Sequence, residues 1–223
     1  MTDTQTAEFA ARLLKVDSCA VSDSLDSMDL KGTVAGLGPV SVAKKIAGPV
    51  LTVLLGPPAD DIPKRHLCTA AIEAGGPGDI IVVKNRVRPD AAGWGGLLST
   101  AALEQGIAGT IVDGPARDVD ESRELGYPVY ASAAISFTAR GRTQEHAWNE
   151  PIEVGDIKVS PGDWVMADGS GVVFIPKAHL AEVLEMAEQI AAKETAMAAA
   201  VRSGKAVSAV LGGDYEQMLI KND

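Results

Sequence analysis

A chain of 223 residues in which 46% are apolar can bury a sizeable core, which excludes global disorder and fits one α/β domain over 1–223. Twenty basic against 30 acidic side chains give a formal net charge of -10. That balance excludes nonspecific binding to nucleic acid or an anionic membrane as a leading role, while local basic clusters can still bind a small anion.

The N-terminal MTDTQTAEFAARLLKVDS lacks a basic start followed by a long apolar run, so neither a signal peptide nor a membrane span is expected, which predicts a cytoplasmic protein. Helical spacing through Phe9, Leu13 and Leu14 predicts a helix over about 5–16, and VSDSLDSMDL a second one capped by Ser22 or Asp23, so that about 1–30 forms a helical layer. From Gly38 to Leu55 a β-branched run reads as strands broken at Gly48-Pro49. A loop, a short helix and the strand DIIVVKN follow. Next come a loop over 86–94, a helix from about Gly96 to Gln105, and the strand AGTIVD with its DGPARD turn. Strand, helix and strand within some thirty residues make a βαβ crossover in a parallel sheet buried on both faces. YPVYAS, residues 152–159, DWVMAD and GVVFIP also read as strands. The Ala/Glu-rich run over about 178–203 predicts a long amphipathic helix with Gly204 as its stop. Cys19 and Cys68 lack CxxC spacing and a histidine array, so they are expected as buried free thiols. His66, His146 and His179 are too scattered to form a site by spacing and are expected on the surface or in loops.

Three features carry chemistry. Gly95 and Gly96 open a helix, where the unpaired amides of Leu97 and Leu98 could cradle a carboxylate; a simple tight turn is the alternative. Asp113, Arg117 and Asp118 fall at the C-terminal end of a parallel strand, the usual ligand end of an open α/β sheet. There Asp118 could ligate Mg²⁺ while Arg117 holds an oxyanion, or the two could form only a surface ion pair or turn cap. Finally, Lys84, Arg86 and Arg88 make a basic cluster that either meets a substrate carboxylate or points to solvent. Trp94 is expected to pack in the core or to wall the pocket.

The run GLLSTAALEQGIAGTIVDGPARDVDE, residues 96–121, resembles the RraA-like family, which includes divalent-metal-dependent 4-hydroxy-4-methyl-2-oxoglutarate/4-carboxy-4-hydroxy-2-oxoadipate aldolases. SDSLD near residue 22, GYPVYA at 126–131 and VSPGDWVMADGSGVVFIP at 159–176 extend the resemblance over most of the chain. It implies a swivelling β/β/α-type fold with N-terminal helices and a long C-terminal helix, assembled as a trimer or hexamer with sites between subunits. It also implies Asp118 as the ligand of Mg²⁺ or Mn²⁺, Arg117 on the substrate oxygens, and the Leu97 and Leu98 amides on a carboxylate. Glu194 matches a glutamate that reaches a neighbour's metal through water, or else is a solvated helix residue. One departure stands out: aldolases of the family carry an acidic residue where this chain has Gly96, and Asp90 in the preceding loop is a candidate replacement.

The expected function is therefore a metal-dependent lyase, an aldolase or oxaloacetate decarboxylase, that cleaves a 2-oxo acid and leaves pyruvate. Two alternatives remain at this point. One is a protein-binding regulator resembling the RraA inhibitors of ribonuclease E. The other is a lyase or hydrolase of the same fold that uses Arg86, Arg88 or Asp90 on a different carboxylated substrate.

Overall fold

The computed structural model describes residues 1–62, 64–85 and 88–212. Two helices lead, α1 (Asp3–Leu13) and α2 (Ser18–Ser27). Thr2 and Gln5 close a capping box on α1. On α2 the cap is Asp17, whose side chain accepts the Ala20 amide, so Ser22 and Asp23 lie inside the helix and not at its start. Asp17 has the extended backbone that a cap needs, directly after the turn that ends α1.

The strands follow as β1 (Thr33–Val34), β2 (Gly38–Pro39), β3 (Ile46–Gly56), β4 (Ile80–Lys84), β5 (Gly109–Ala116), β6 (Val129–Ala134), β7 (Gln144–Trp148), β8 (Ile152–Val154), β9 (Ile157–Val159), β10 (Trp164–Ala167) and β11 (Val172–Ile175). Between them lie α3 (Thr69–Ala74), α4 (Gly96–Glu104) and α5 (Val119–Glu124), and α6 (Leu180–Arg202) and α7 (Val207–Val210) come last. Among the described residues nine strands join in one sheet in the order β1-β11-β10-β3-β4-β5-β6-β2, with β7 also paired to β3. β8 and β9 make a separate hairpin.

β3 joins the two halves of this sheet. Ile46 to Pro49 runs antiparallel to β10, Val50 to Leu54 runs parallel to β4, and the far end pairs antiparallel with β7. The expected break at Gly48-Pro49 is thus a change of partner within one continuous strand. It needs glycine, because a Cβ on Gly48 would lie 2.1 Å from the Gly78 carbonyl oxygen. The βαβ crossover is as expected: β3, β4, β5 and β6 lie side by side, each parallel to the next.

Period-two alternation distributes the strand side chains between layers. In β4, Ile80 and Val82 face a core shared with β8, β9, β10 and β11, whereas Ile81 and Val83 face α3 and α4. In β10, Val165 and Ala167 enter the shared core, and Trp164 and Met166 pack under α1, α2 and α6. Both faces are covered, which explains why these strands read as unbroken apolar runs. The expected α/β class, with N-terminal helices and a long C-terminal helix, is what the structure shows. α6 ends at Arg202, with Gly204 at φ +90 as the stop. Among the described residues no helix is long and apolar enough to cross a membrane. Of the two cysteines only Cys68 is buried; Cys19 sits on the open side of α2 and is exposed.

Candidate active site

The site is assembled at the C-terminal end of β5. The amide of Gly93 donates to Pro115 O (2.9 Å) and that of Arg117 to Trp94 O (2.9 Å), so residues 93–94 pair with the end of the strand. This pairing sets Gly95 and Gly96, the start of α4, against Arg117 and Asp118. Asp118 leaves the strand in the left-handed region (φ +54), which Asp tolerates better than most residues. Its Oδ1 accepts from Arg117 Nε at 3.0 Å and its Oδ2 from the Gly96 amide at 3.2 Å. A Cβ on Gly95 would lie 2.9 Å from Asp118 Oδ2, so glycine keeps the helix start and the carboxylate together.

A buried polar chain fixes this junction. Trp94 Nε1 donates to Ser99 Oγ (2.9 Å), and Ser99 Oγ meets Ser122 Oγ at 2.8 Å, which ties α4 to α5. The Trp94 ring stacks on Tyr127 with centroids 6.4 Å apart. Burial pushes the Tyr127 hydroxyl above its ordinary pKa, and its oxygen lies 2.8 Å from Thr110 Oγ1. Trp94 therefore fills both roles considered for it, packing in the core and walling a cavity.

That cavity has a volume of about 530 Å³. Gly95, Gly96, Leu97, Leu98, Arg117 and Asp118 all line it. The first backbone bond inside α4 is donated by Ser99 to Gly95 O, which leaves the Leu97 and Leu98 amides ahead of the helix ladder. The same cavity is also lined by Lys64, Arg65 and His66 from the loop before α3 and by Arg140 from the loop before β7. The lining is strongly cationic in a chain of net charge -10. Arg65 is held by the fully buried Glu145 (2.6 Å), whose other oxygen accepts the Cys68 amide. Burial, with the Glu145 charge second, pushes the Cys68 thiol well up, so it is a neutral packing group and no nucleophile.

The other sequence candidates lie elsewhere. Arg88 and Asp90 bind each other through two hydrogen bonds of 2.8 and 2.7 Å, with Arg142 at 3.7 Å from Asp90, and neither lines the cavity. The Arg88 guanidinium holds the Asp90 carboxyl below its usual range. Arg86 lies outside the described residues. Lys84 reaches Glu153 at 3.6 Å. Asp113 faces away, toward the β8–β9 hairpin, where its Oδ2 accepts the Gly155 amide. Glu194 lines a different cavity with Asp17, Lys45 and Arg202, where burial first, then Asp17 and Asp23, raise its pKa. His66 is exposed in the loop before α3, as expected, and also lines the cavity, while His146 contacts Pro57 O and His179 lies near Glu182.

Sequence reasoning passed over Lys64, Arg65, Arg140 and Glu121. The first two belong to the basic run KRH ahead of α3, and Arg140 to the run RGR, which were the available signals. Glu121 stands on α5 beside Gly96. As to a divalent cation, among the described residues no group of three or more His, Cys, Asp or Glu side chains is placed to hold one. Mg²⁺ and Mn²⁺, however, often take one or two carboxylates and keep several waters. Asp118, 30% exposed and with lone pairs beyond its two hydrogen bonds, fits as such a single ligand.

Comparison with known proteins agrees with the expected resemblance. The family model described as RraA-like, Aldolase/RraA, matches residues 18–174. A protein of Halalkalibacterium halodurans, provisionally named a 4-hydroxy-4-methyl-2-oxoglutarate aldolase, is 29% identical over 194 residues, 87% of this chain and 89% of its own. Protein DlpA of Legionella pneumophila is 30% identical over 86% of this chain, which spans only 31% of DlpA's length. The crystal structure of Streptomyces coelicolor RraAS2, described as an unusual member of the RNase ES inhibitor RraA family, superimposes with a TM-score of 0.74 at 26% identity, over 82% of this chain and 91% of its own. With 157 contiguous residues under one family model, a matching fold and a relative matched over 89% of its own length, the chain belongs to the RraA-like family.

Proposed function

We propose that this protein is a carbon–carbon lyase that cleaves a 2-oxo acid to leave pyruvate, acting as an aldolase, an oxaloacetate decarboxylase or both. One observation carries the reading: Arg117 and Asp118 are locked against the glycine-led start of α4 inside a cationic cavity. The Leu97 and Leu98 amides, at a helix N-terminus, hold the carboxylate of the 2-oxo acid. Arg117 spends Nε on Asp118 and directs its remaining donors to the keto oxygen, where negative charge grows as the bond breaks. Asp118 would hold Mg²⁺ or Mn²⁺, which supplies Lewis-acid polarisation of the keto group when bound.

The test is pyruvate release from 4-hydroxy-4-methyl-2-oxoglutarate and from oxaloacetate, with and without chelator. Asp118→Asn is expected to lower kcat/KM by about 10²-fold or more. Turnover that ignores both the chelator and the substitution would overturn the reading. Assembly as a trimer or hexamer belongs to the same proposal, since Glu194 lines a separate cavity in its own chain and a second copy is its route to Asp118. Light scattering of the purified protein checks that point.

The likeness to RraAS2 supports a second reading, a protein-binding regulator of a ribonuclease. Capture of ribonuclease E by this chain, together with absence of lyase turnover, would favour it. An ordered, cationic cavity is superfluous to such a role, so the lyase reading is preferred.

A further inference from the structure

A buried carboxylate stands behind the cationic part of the cavity lining. The side chain of Glu145, on β7, has no exposed surface and does not line the cavity, although Thr143 and Gln144 just before it do. Its Oε1 lies 2.6 Å from Arg65 Nη2 and has no other polar partner among the described residues. Its Oε2 accepts the Cys68 amide at 2.6 Å. Cys68 is in the left-handed region at φ +64, which costs a residue with a side chain free energy, and it ends the loop that carries Lys64, Arg65 and His66. One carboxylate therefore fixes both the guanidinium and the backbone turn behind it. The residues before Glu145 grip the same loop: Thr143 Oγ1 donates to Gly56 O at 3.0 Å, and Gln144 accepts the Ala59 amide at 3.0 Å and donates to Ile62 O at 2.9 Å.

A buried ion pair is a poor source of stability, because desolvation offsets most of the attraction, so this one calls for another explanation. Arg65 is 39% exposed and lines the cavity, and a guanidinium that meets Glu145 through Nη2 keeps further N–H donors free. Lys64 and Arg140 line the same cavity and have no acidic partner among the described residues. A 2-oxo acid whose first carboxylate sits at the start of α4 leaves all of these charges unused. We infer that Glu145 is a positioning residue for substrate specificity: it holds Arg65 so that the free donors of the guanidinium receive a second carboxylate, at the far end of the substrate. The inference rests on the pyruvate-lyase reading for the place of the first carboxylate. Its physical content is preorganisation. A long side chain on a loop loses rotamer freedom when it grips a ligand, and the pairing with Glu145 removes that cost before the ligand arrives. The protein thus selects dicarboxylic 2-oxo acids over monocarboxylic ones.

The experiment is calorimetry, with Mg²⁺ present, of 2-oxoglutarate against 2-oxopentanoate, which has the same chain with a methyl group in place of the far carboxylate. The parent is expected to bind 2-oxoglutarate about tenfold or more tighter. Glu145→Gln keeps an acceptor for the Cys68 amide and leaves Arg65 charged but loosely held. It should cut the preference about threefold or more, with Kd for 2-oxopentanoate within about twofold of the parent's. Adding Arg65→Gln to that chain should abolish what preference is left, in a form that strands no buried charge. Arg65→Lys keeps Glu145 paired and decides the matter where Glu145→Gln fails to fold: an ammonium cannot grip Glu145 and a second carboxylate as a guanidinium does, so the preference should again fall about threefold or more. A parent that binds neither acid or binds both alike, a Glu145→Gln that weakens both equally, or an Arg65→Lys with the full preference would overturn the assignment. Pyruvate release is measured separately. A parent that prefers 2-oxoglutarate yet cleaves no substrate removes the lyase reading and leaves the Arg65 site standing, whereas one that cleaves substrate without the preference does the reverse.

Discussion

Gly95 separates positioning from stability. Its φ of -155 is open to any residue, so alanine there brings no backbone strain. The added methyl would meet the tip of a short side chain, Asp118 Oδ2 at 2.9 Å, and no backbone atom. Gly95→Ala should therefore displace the carboxylate by a few tenths of an ångström and leave the fold intact. The expected result is a fall of about tenfold or more in kcat/KM with Tm within about 3 °C of the parent, read from steady-state kinetics beside a thermal melt. Unchanged kinetics would show that the exact place of Asp118 is unimportant. At this scale the sequence was most informative where the chemistry is local: Gly95 to Leu98 and Arg117-Asp118 are short motifs on adjoining elements, and all line one cavity. Glu121 was invisible for the opposite reason. A glutamate in the first turn of a helix is ordinarily a solvated residue favoured by the helix dipole, and only the packing of α5 on α4 brings it to Gly96.

β3 shows how an element can be read correctly in composition and wrongly in continuity. Gly48-Pro49 carries the signs of a break, since one residue weakens a strand and the other lacks an amide donor. The chain stays extended because this is where β3 exchanges β10 for β4, and the backbone before β4 approaches too closely for any side chain at 48. Gly48→Ala would place Cβ 2.1 Å from a carbonyl oxygen that has no flexible end to give way. We expect a loss of about 3 kcal/mol or more, a fall in Tm of roughly 6 °C or more, checked by urea and thermal unfolding. A neutral substitution would mean that the two halves of the sheet can slide apart at this junction. β7 escaped the sequence reading altogether. Its pattern QEHAW buries a glutamate, Glu145, that becomes acceptable only because Arg65 and the Cys68 amide reach it from the loop before α3. α6 was legible because helical periodicity over 23 residues needs no distant partner.

Charge acts in opposite directions at two ranges in the whole molecule. The net charge of -10 repels an anionic substrate at long range, while Lys64, Arg65, His66, Arg117 and Arg140 attract it once it reaches the cavity. A volume of about 530 Å³ is roughly 8 Å across, inside the Debye length of about 10 Å at 0.1 M salt, so the local term should dominate binding. Arg140 is the cleanest probe of it. Arg65 neutralises the buried Glu145, and removing it would strand that charge at a cost of about 3–5 kcal/mol, which would confuse binding with stability. Arg140 has no such partner among the described residues and its side chain can be lost without harm to the fold. On the pyruvate-lyase reading, kcat/KM for a dicarboxylate substrate should fall as salt is raised. Arg140→Gln should raise KM by roughly threefold or more, leave kcat nearly unchanged and flatten the salt dependence, because a charge at the rim stabilises the bound ground state and the transition state alike. Kinetics at several ionic strengths measure all three effects. A salt slope equal to the parent's would mean that Arg140 does not gather anions and that the substrate is drawn in by other residues of the lining.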